Sequence, residues 1–211
     1  MKLYIIGSGD VGKFVAYNFD LFHSTGFEIC GFLDDDKSKW GQMVCGYQVL
    51  GGINLLEKEQ EKAGVLISIA HPQTKRKVAE QIDFNKVLSP SLVAKNAWLS
   101  KEVIIGKGVI IYPGVSINYH SVIEDHVILN MNCAIGHNCT ISKYATLAPG
   151  ASLGGYTQIG EAVSMGINAA TKQAIQIGKN TIIGGMSMVI KDLPSDVTAV
   201  GVPSRIIKYH S

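Results

Sequence analysis

Two short stretches of this 211-residue chain contain the residue types needed for chemistry. One is His137-Asn138, in which an amide that can accept a ring N–H follows an imidazole. Histidine changes its protonation nearest to neutral pH, so it suits proton uptake from a reacting group. The other is Gly7-Ser8-Gly9-Asp10, a glycine-rich turn of the kind that admits a phosphate to the start of a helix. Both stretches depend on the elements that position them.

His137 lies within a six-residue repeat that runs from Val93 to Val189. An aliphatic residue occupies every sixth position except at Thr171, and a small or β-branched residue nearly always comes two positions earlier. This period fits neither a helix face nor strand alternation. It is typical of a parallel β-helix, in which every sixth side chain enters a triangular core. His137 follows the inward Ile135 by two positions and is therefore predicted to face outward. Glycines after the aliphatic residues suit corners that need a positive φ or a close backbone approach.

The chain before the repeat has the pattern of a nucleotide-binding unit. An apolar run precedes the glycine-rich turn, and apolar residues at helical spacing predict a helix over Val11–Phe22. A second strand, Phe27–Leu33, is followed by Asp34 and Asp35, where such folds place an acid that holds a ribose. The unit ends near Asp83, so it is too short for a dinucleotide. A mononucleotide part, such as the uridine diphosphate of a nucleotide sugar, is expected. Glycines that only form the tight turn remain the alternative.

Composition and charge exclude several classes of protein. The net charge of +2 argues against nucleic-acid binding through phosphate neutralisation. The four cysteines have no metal-ligand spacing, and no metal is expected. No signal peptide and no apolar run long enough to cross a membrane are visible. These observations predict a soluble cytoplasmic protein with reduced thiols.

Three features together carry a family resemblance: the hexapeptide run, the block Val200-Gly201-Val202-Pro203-Ser204 after it, and the glycine-rich strand and loop before it. They resemble the bacterial sugar acetyltransferases of the sialic acid O-acetyltransferase and UDP-4-amino-sugar N-acetyltransferase group, over essentially the whole chain. The resemblance implies an α/β half-Rossmann domain (residues 1–83) for a nucleotide sugar. A left-handed parallel β-helix with a short C-terminal tail (residues 84–211) would follow. It also implies direct acetyl transfer from acetyl-CoA to a nucleotide-linked amino sugar, by a homotrimer.

The same resemblance assigns roles to individual residues. His137 aligns with the general base, and Asn138 stands where the amino-sugar N-acetyltransferases have a Glu that holds the ring. An amide cannot stabilise an imidazolium by charge, so the expectation is either a weaker base or a base helped by Glu124 or Asp125. The residues implied to contact the substrate are Gly7, Ser8, Gly9, Asp10, Asp34, Asp35, Ala70, His71, Lys75 and Asn130. Those implied to contact acetyl-CoA are Thr146, Gly155, Ile167 and Gly185.

Five of these residues carry a specific expectation. Asp10 replaces the usual His and would repel a diphosphate, so its side chain is expected to point away unless the ligand differs. Lys75 is expected to reach a phosphate. Thr146 also replaces a His, and its hydroxyl could still donate a hydrogen bond near the thioester. His71 is better explained as a turn residue than as a catalytic one. Asn130 is either a substrate contact or a corner residue that forms its own turn hydrogen bond.

Four alternative functions stay open from the sequence. The acceptor could be a hydroxyl of a sialic-acid-type sugar. The chain could be a noncatalytic nucleotide-sugar-binding protein, as the changes at Asp10, Asn138 and Thr146 would allow. A zinc site of the type seen in gamma-class carbonic anhydrases would need His120, His126 and His137, whose spacing does not repeat a coil. A dehydrogenase is less favoured because the nucleotide unit is short.

Overall fold

The computed structural model describes residues 1–23, 26–59 and 62–210. The elements of the first unit are β1 (Lys2–Ile6), α1 (Asp10–Tyr17), β2 (Glu28–Leu33), β3 (Met43–Val44), β4 (Tyr47–Gly51), β5 (Gly64–Ile67) and α2 (Pro72–Ala79). Its strands form a five-stranded sheet in the order β3-β4-β2-β1-β5, in which β3 is antiparallel and the other strands are parallel. Strands β1 and β5 are buried over nearly their whole length, as expected for parallel strands with both faces covered. Short 3₁₀ turns cover Phe19–Leu21, Lys37–Lys39 and Ile53–Lys58.

Helix α1 is shorter than the predicted Val11–Phe22. It begins after Gly9 and ends at Tyr17, and Phe19–Leu21 continues as a 3₁₀ turn. Asn18 causes the break: its backbone leaves the helical region, with φ of −123°, and its side-chain amide donates to the Phe14 carbonyl at 2.9 Å. Asparagine competes with the helix ladder in this way because its short amide reaches nearby backbone groups.

The repeat forms the predicted left-handed parallel β-helix. Ser116 pairs with Ala134, so one coil takes 18 residues. Two-residue strands stack into three flat faces, here named A, B and C in the order in which the chain visits them. Face A contains Leu92–Val93, Ile110–Ile111, Ile128–Leu129, Thr146–Leu147, Ser164–Met165 and Ile182–Ile183. Face B contains Trp98–Leu99, Ser116–Ile117, Ala134–Ile135, Ser152–Leu153, Ala170–Thr171 and Met188–Val189. Face C contains Ile104–Ile105, Val122–Ile123, Thr140–Ile141, Gln158–Ile159 and Gln176–Ile177.

Face A continues into a C-terminal hairpin. The strand Val197–Val200 pairs in parallel with Ile182–Ile183 and antiparallel with Arg205–Tyr209. The hairpin therefore closes the end of the face that the chain would otherwise leave unpaired. Within the described ranges, no helix is long and apolar enough to cross a bilayer.

The interior of the prism follows the predicted pattern, including the break at Thr171. The hydroxyls of Thr171 and Thr157 are buried and lie 3.0 Å apart, and the Gly154 backbone N–H donates to Thr171 at 3.1 Å. The polar residue is tolerated in the core because its hydroxyl is satisfied there.

The corners separate the two roles expected for these glycines. From Leu99 to Ile183, the left-handed backbone occurs three positions after each residue of the six-residue register, for example at His120 and Asn138, with φ of 56° at both. The glycines that directly follow the aliphatic residues do not have this conformation. They are needed for close approach between coils: a Cβ at Gly136 would lie 2.6 Å from the backbone nitrogen of Gly155.

The first unit packs against face A of the prism. The outward side chains of Ile110 and Ile128 on this face are at most 1% exposed, and Phe14 of α1 stacks on Tyr112 with ring centroids 4.3 Å apart. Because each coil visits A, B and C in turn, the corner between B and C is the edge of the prism opposite face A. His137 lies in the segment between Ala134–Ile135 and Thr140–Ile141, at this B–C corner.

Candidate active site

A cavity of about 420 Å³ opens at the carboxyl ends of β1, β2 and β5. This edge of a parallel sheet is where α/β folds bind their ligands. The predicted residues that line it are Gly7, Gly9, Asp10, Asp34, Asp35 and Ala70. Ile6, Leu33, Ile53, Ile69 and Val78 supply apolar walls, and Lys39 and Thr74 add polar groups that the sequence analysis did not identify.

Asp34 is the most strongly engaged group of the cavity. One of its carboxylate oxygens accepts from the Ser8 hydroxyl at 2.6 Å, the Ser8 backbone N–H at 3.0 Å and Lys39 Nζ at 2.9 Å. Burial alone would raise the pKa of Asp34, but the hydrogen bonds from Ser8, Lys39 and Asp36 outweigh it and lower the pKa to about 2. Ser8 therefore acts behind the cavity wall, where it fixes the carboxylate that faces the ligand.

The glycine-rich turn is held tightly against β5. The hydroxyl of Ser68 donates to the carbonyls of Ile6 and Gly7 at 2.9 and 2.8 Å, and a Cβ at Gly12 would overlap the Gly7 carbonyl oxygen. The first turn of α1 thus begins at the cavity with no side-chain cap. Asp10 lines the mouth of the cavity with a fully exposed side chain, and Lys13 Nζ lies 3.9 Å from one of its carboxylate oxygens.

Two predicted substrate residues have structural roles instead. His71 is the N-cap of α2, where Nδ1 accepts from the Thr74 backbone N–H at 3.4 Å. The expectation that Lys75 reaches a phosphate is contradicted. Its side chain is 0% exposed, and Nζ donates to the Thr146 hydroxyl at 2.9 Å and to the Ala145 carbonyl at 3.3 Å, between α2 and face A. Asp35, although it lines the cavity, also accepts from the Ile53 backbone N–H at 3.0 Å.

The second candidate centre lies at the B–C corner. Nδ1 of His137 is 3.0 Å from Oδ1 of Asn138, as expected for an amide that fixes the ring. An amide oxygen can only accept, so this contact favours the tautomer with the ring proton on Nδ1 and the lone pair on Nε2. Tyr119 stacks on the imidazole at 5.2 Å between centroids, and Tyr156 meets it edge-on at 5.0 Å. The arrangement can take up a proton at Nε2.

Gly155 lies one coil beyond His137, in the same column of the corner. A Cβ at Gly155 would be 2.8 Å from Nε2 and 2.9 Å from Cε1 of the His137 ring. Glycine at this position therefore leaves the space that the ring needs. That a thioester passes close to the Gly155 backbone remains a prediction. The location of Gly155 beside Nε2 of His137 is compatible with it.

The other predicted cofactor and substrate residues lie elsewhere on the prism. Asn130, Ile167 and Gly185 belong to the corner between faces A and B, and Asn130 accepts from the Met131 backbone N–H at 2.8 Å, as a corner residue does. Thr146 is on face A, nearly buried beneath α2, with its hydroxyl engaged by Lys75. A contact between the Thr146 hydroxyl and a thioester at His137 is therefore contradicted within one chain.

The acids expected beside His137 are also at another corner. Glu124 and Asp125 occupy the corner between faces C and A, where they accept from the Lys143 and Lys107 backbone N–H groups at 3.0 and 2.8 Å. Neither therefore assists His137 in its own chain.

His126 shares the corner of Glu124 and Asp125, where it is buried and stacked on Tyr144. Its burial lowers its pKa to about 4. His120, His126 and His137 accordingly do not converge. Among the residues that the structure describes, no group of three His, Cys, Asp or Glu side chains is placed to hold a metal.

Comparison with known proteins agrees with this architecture. Residues 2–82 match the PglD N-terminal domain. Over 99% of its length the chain is similar to PerB from Caulobacter crescentus in complex with CoA and GDP-perosamine, with 28% identity, 98% of that chain covered and a TM-score of 0.89. It is also similar to the acetyltransferase domain of PglB from Neisseria gonorrhoeae, with 27% identity, 98% and 99% of the two chains covered and a TM-score of 0.86. The predicted resemblance to the hexapeptide-repeat sugar acetyltransferases is confirmed.

Shorter matches to curated proteins fall among other acetyltransferases. The chain is 49% identical over 45 residues to a serine acetyltransferase of Synechococcus elongatus and 42% identical over 50 residues to the galactoside O-acetyltransferase of Escherichia coli. These matches span 18% and 25% of the two curated proteins. They indicate acetyltransferase relatives without identifying an acceptor, whereas the full-length structural likeness is to sugar acetyltransferases.

Proposed function

We propose that this protein is an acetyl-CoA-dependent N-acetyltransferase that acts on a nucleotide-linked amino sugar. The observation that carries the proposal is the His137 imidazole, whose Nδ1 is engaged by Asn138 at 3.0 Å so that the lone pair is on Nε2 at an outward corner. The full-length similarity to PerB, which was crystallised with CoA and GDP-perosamine, supports the same two kinds of ligand here, CoA and a nucleotide-linked amino sugar. The product would enter glycan biosynthesis.

The proposed reaction is a direct transfer in a ternary complex. The amine nitrogen of the sugar attacks the thioester carbonyl carbon of acetyl-CoA, and the carbon–sulfur bond breaks as the amide bond forms. Nε2 of His137 accepts the proton lost by the nitrogen and returns it to the departing CoA thiolate. A positioned base of this kind contributes about 10²–10⁴-fold to a rate. Gly155, whose backbone lies against the ring, is the proposed contact for the thioester arm.

We assign the nucleotide to the cavity of the first unit. The turn Gly7–Asp10 and the start of α1 are proposed to face the phosphates, where backbone N–H groups favour an anion. Lys39, paired with Asp34 at 2.9 Å, supplies positive charge at the same wall in place of Lys75. Asp34 and Asp35 are proposed to meet the ribose or the base.

A homotrimer is proposed because one chain does not join its two candidate centres. The cavity belongs to the unit packed on face A, whereas His137 lies at the opposite edge of the prism. Asn130, Ile167 and Gly185 line yet another edge. A cyclic trimer reuses one interface three times and could bring the cavity and A–B corner of one subunit to His137 of the next. The proposed location is the cytoplasm, as predicted from the sequence.

A sugar O-acetyltransferase is the second candidate. The 42% identity over 50 residues to a galactoside O-acetyltransferase favours it, and a base at Nε2 would serve a hydroxyl as well as an amine. The two candidates differ in the acceptor atom and share the base.

The first experiment measures CoA release from acetyl-CoA with UDP-, GDP- and dTDP-linked 4-amino sugars and with free sialic acid. We expect turnover with one amino sugar, and a loss of about 10²–10⁴-fold in kcat for His137→Gln. His23→Gln, at an exposed histidine of the first unit, is the matched control and should keep full activity. Turnover with sialic acid alone would show that the acceptor group is a hydroxyl and not an amine. Nucleotide-sugar binding without any turnover would favour the noncatalytic alternative.

The shared site has its own test by subunit mixing. His137→Gln removes the base, and Gly9→Tyr fills the cavity from a position where a Cβ meets nothing within 4 Å. Each variant alone should be inactive, whereas co-expressed chains should regain part of the wild-type activity if each site uses two subunits. Light scattering should give about three times the 22.7 kDa chain mass. Failure to regain activity would argue that cavity and base work within one chain.

A further inference from the structure

Two tyrosines contact the His137 ring and have no role in the reaction proposed above. Tyr119, one coil earlier in the same column, is nearly parallel to the imidazole, with an interplanar angle of 10° and centroids 5.2 Å apart. Tyr156, the residue after Gly155, meets the imidazole at 87° and 5.0 Å. Both tyrosines keep part of their surface exposed, 43% and 57% respectively. The ring of His137 is therefore restrained on one face and at one edge.

Tyr119 is itself held in place by its neighbours. His120 meets the Tyr119 ring at 89° with centroids 5.3 Å apart. Nδ1 of His120 lies 2.8 Å from a carboxylate oxygen of Glu102, one coil earlier. The stacking partner of His137 is thus anchored by two successive coils of the same corner.

The tight register of this corner comes from the backbone. Glu102, His120, Asn138 and Tyr156 all occupy its left-handed position, with φ between 56° and 62°. Because successive coils repeat the same backbone, the side chains beside these residues are aligned in a column. Tyr119 and His137 are consecutive members of that column, and Gly155 is the next.

The base needs this support because its hydrogen-bond partner is an amide. A general base must keep its lone pair directed at the proton that it removes, and small errors in that direction lower the rate. The single bond from Nδ1 to Asn138 restrains one edge of the ring and supplies no charge. A tyrosine face restrains rotation of a ring stacked on it. It also attracts a cation through its quadrupole, so it favours the imidazolium formed as the proton arrives.

We propose that Tyr119 and Tyr156 are positioning residues for His137, and that the stacked face of Tyr119 stabilises the imidazolium that forms during transfer. The catalytic consequence rests on the proposed function, whereas the positioning itself is a property of the protein without substrates. The ring face of Tyr119 carries this role, so phenylalanine should replace it and an aliphatic residue should not.

The test compares Tyr119→Leu and Tyr119→Phe with Tyr17→Leu, a control at a tyrosine on α1 that is 72% exposed. Histidine labelled with ¹⁵N reports the imidazole nitrogens in the substrate-free protein. We expect wild type, Tyr119→Phe and Tyr17→Leu to show His137 with its proton on Nδ1, and Tyr119→Leu to show a mixture of tautomers and faster ring motion. Tyr156→Leu should show increased motion with a smaller change of tautomer.

Kinetics on the same proteins measure the effect on transfer. Tyr119→Leu should lower kcat about tenfold, the loss expected from one modest cation–π contact. KM for both substrates should change less than twofold, and Tyr119→Phe should stay within twofold of wild type. The proposal is overturned if Tyr119→Leu leaves the ¹⁵N spectrum and kcat unchanged, or if Tyr119→Phe loses as much as Tyr119→Leu. If wild type transfers no acetyl group, the proposed function fails, while the spectra alone still decide the positioning.

Discussion

Oδ1 of Asn138 lies 3.0 Å from Nδ1 of His137, and the two residues are adjacent in sequence at one corner of the prism. Asn138 has a φ of 56°, a conformation that asparagine, aspartate and glycine adopt more readily than other residues. This position can therefore be changed in charge, or stripped of its side chain, with little backbone strain. The role of the amide can be measured separately from its effect on folding.

Asn138→Gly removes the acceptor and keeps a compatible backbone. We expect kcat to fall about tenfold, since the loss of one hydrogen bond of about 1–1.5 kcal/mol frees the ring. Asn138→Asp should raise kcat above that of wild type, because a carboxylate also stabilises the imidazolium by charge. Steady-state kinetics at saturating acetyl-CoA measure both variants.

Asn180→Gly is the matched control for the Asn138 variants. Asn180 has a φ of 56° at the C–A corner, away from both His137 and the A–B corner, so its replacement should leave kcat unchanged. A wild-type rate in Asn138→Gly would show that the amide does not act through His137.

Gly155 and Gly136 provide a second matched pair. A Cβ at Gly155 would meet the His137 ring at 2.8 Å, whereas a Cβ at Gly136 would meet the Gly155 backbone nitrogen at 2.6 Å. A side chain can move aside and a stacked coil cannot. We therefore expect Gly155→Ala to lower kcat at least tenfold with a small change of melting temperature, and Gly136→Ala to lower the melting temperature by several degrees. Equal melting losses in the two variants would contradict this account.

The β-helix could be predicted from the sequence because its core obeys a rigid rule. Every sixth residue from Val93 onward enters the same interior, so the pattern is local and independent of what packs outside. The break at Thr171 could not be explained in advance, because it requires the Thr157 hydroxyl 3.0 Å away, 14 residues earlier in the chain. Pairs of this kind appear only when two turns of the coil are superposed.

The candidate site was predicted less completely, for reasons that depend on tertiary structure. Glu124 and Asp125 precede His137 by 13 and 12 residues. This separation moves them to a different corner of the prism, because only residues one full coil of 18 apart share a corner column. Tyr119 precedes it by one full coil, so a search at that spacing would have found it. The location of the Lys75 side chain could not have been predicted from sequence spacing, because it depends on how α2 packs on face A.

The buried amine of Lys75 gives stability a pH dependence. Burial holds the pKa of Lys75 well below its usual 10.5, so the folded chain keeps the amine neutral where the unfolded chain protonates it. The unfolded state then binds more protons, and the free energy of unfolding rises with pH in this range. We expect the double variant Lys75→Met/Thr146→Val to be more stable than wild type at pH 6, with a smaller gain at pH 9. Urea unfolding at both pH values measures this.

Lys95→Met, at an exposed lysine near the first coil, is the control for Lys75 and should show no such difference. A stability gain of the double variant that is the same at pH 6 and pH 9 would mean that the amine is charged in the folded protein.

Asp34 should also make stability rise with pH, but in the acid range. Its pKa is lowered to about 2 because hydrogen bonds from Ser8 and Lys39 outweigh the effect of burial. A carboxyl with a lowered pKa contributes stability above its unfolded value of 3.8, and the contribution is lost as the pH falls from there towards 2. We expect Asp34→Asn to reduce the free energy of unfolding by about 2 kcal/mol at pH 7, with a penalty that shrinks below pH 4. Urea unfolding at pH 7, 4 and 3 measures it. Asp20→Asn, at an exposed acid of the 3₁₀ turn, should cost little at any of these pH values. A penalty at pH 3 as large as that at pH 7 would show that Asp34 stabilises the turn through its shape, without its charge.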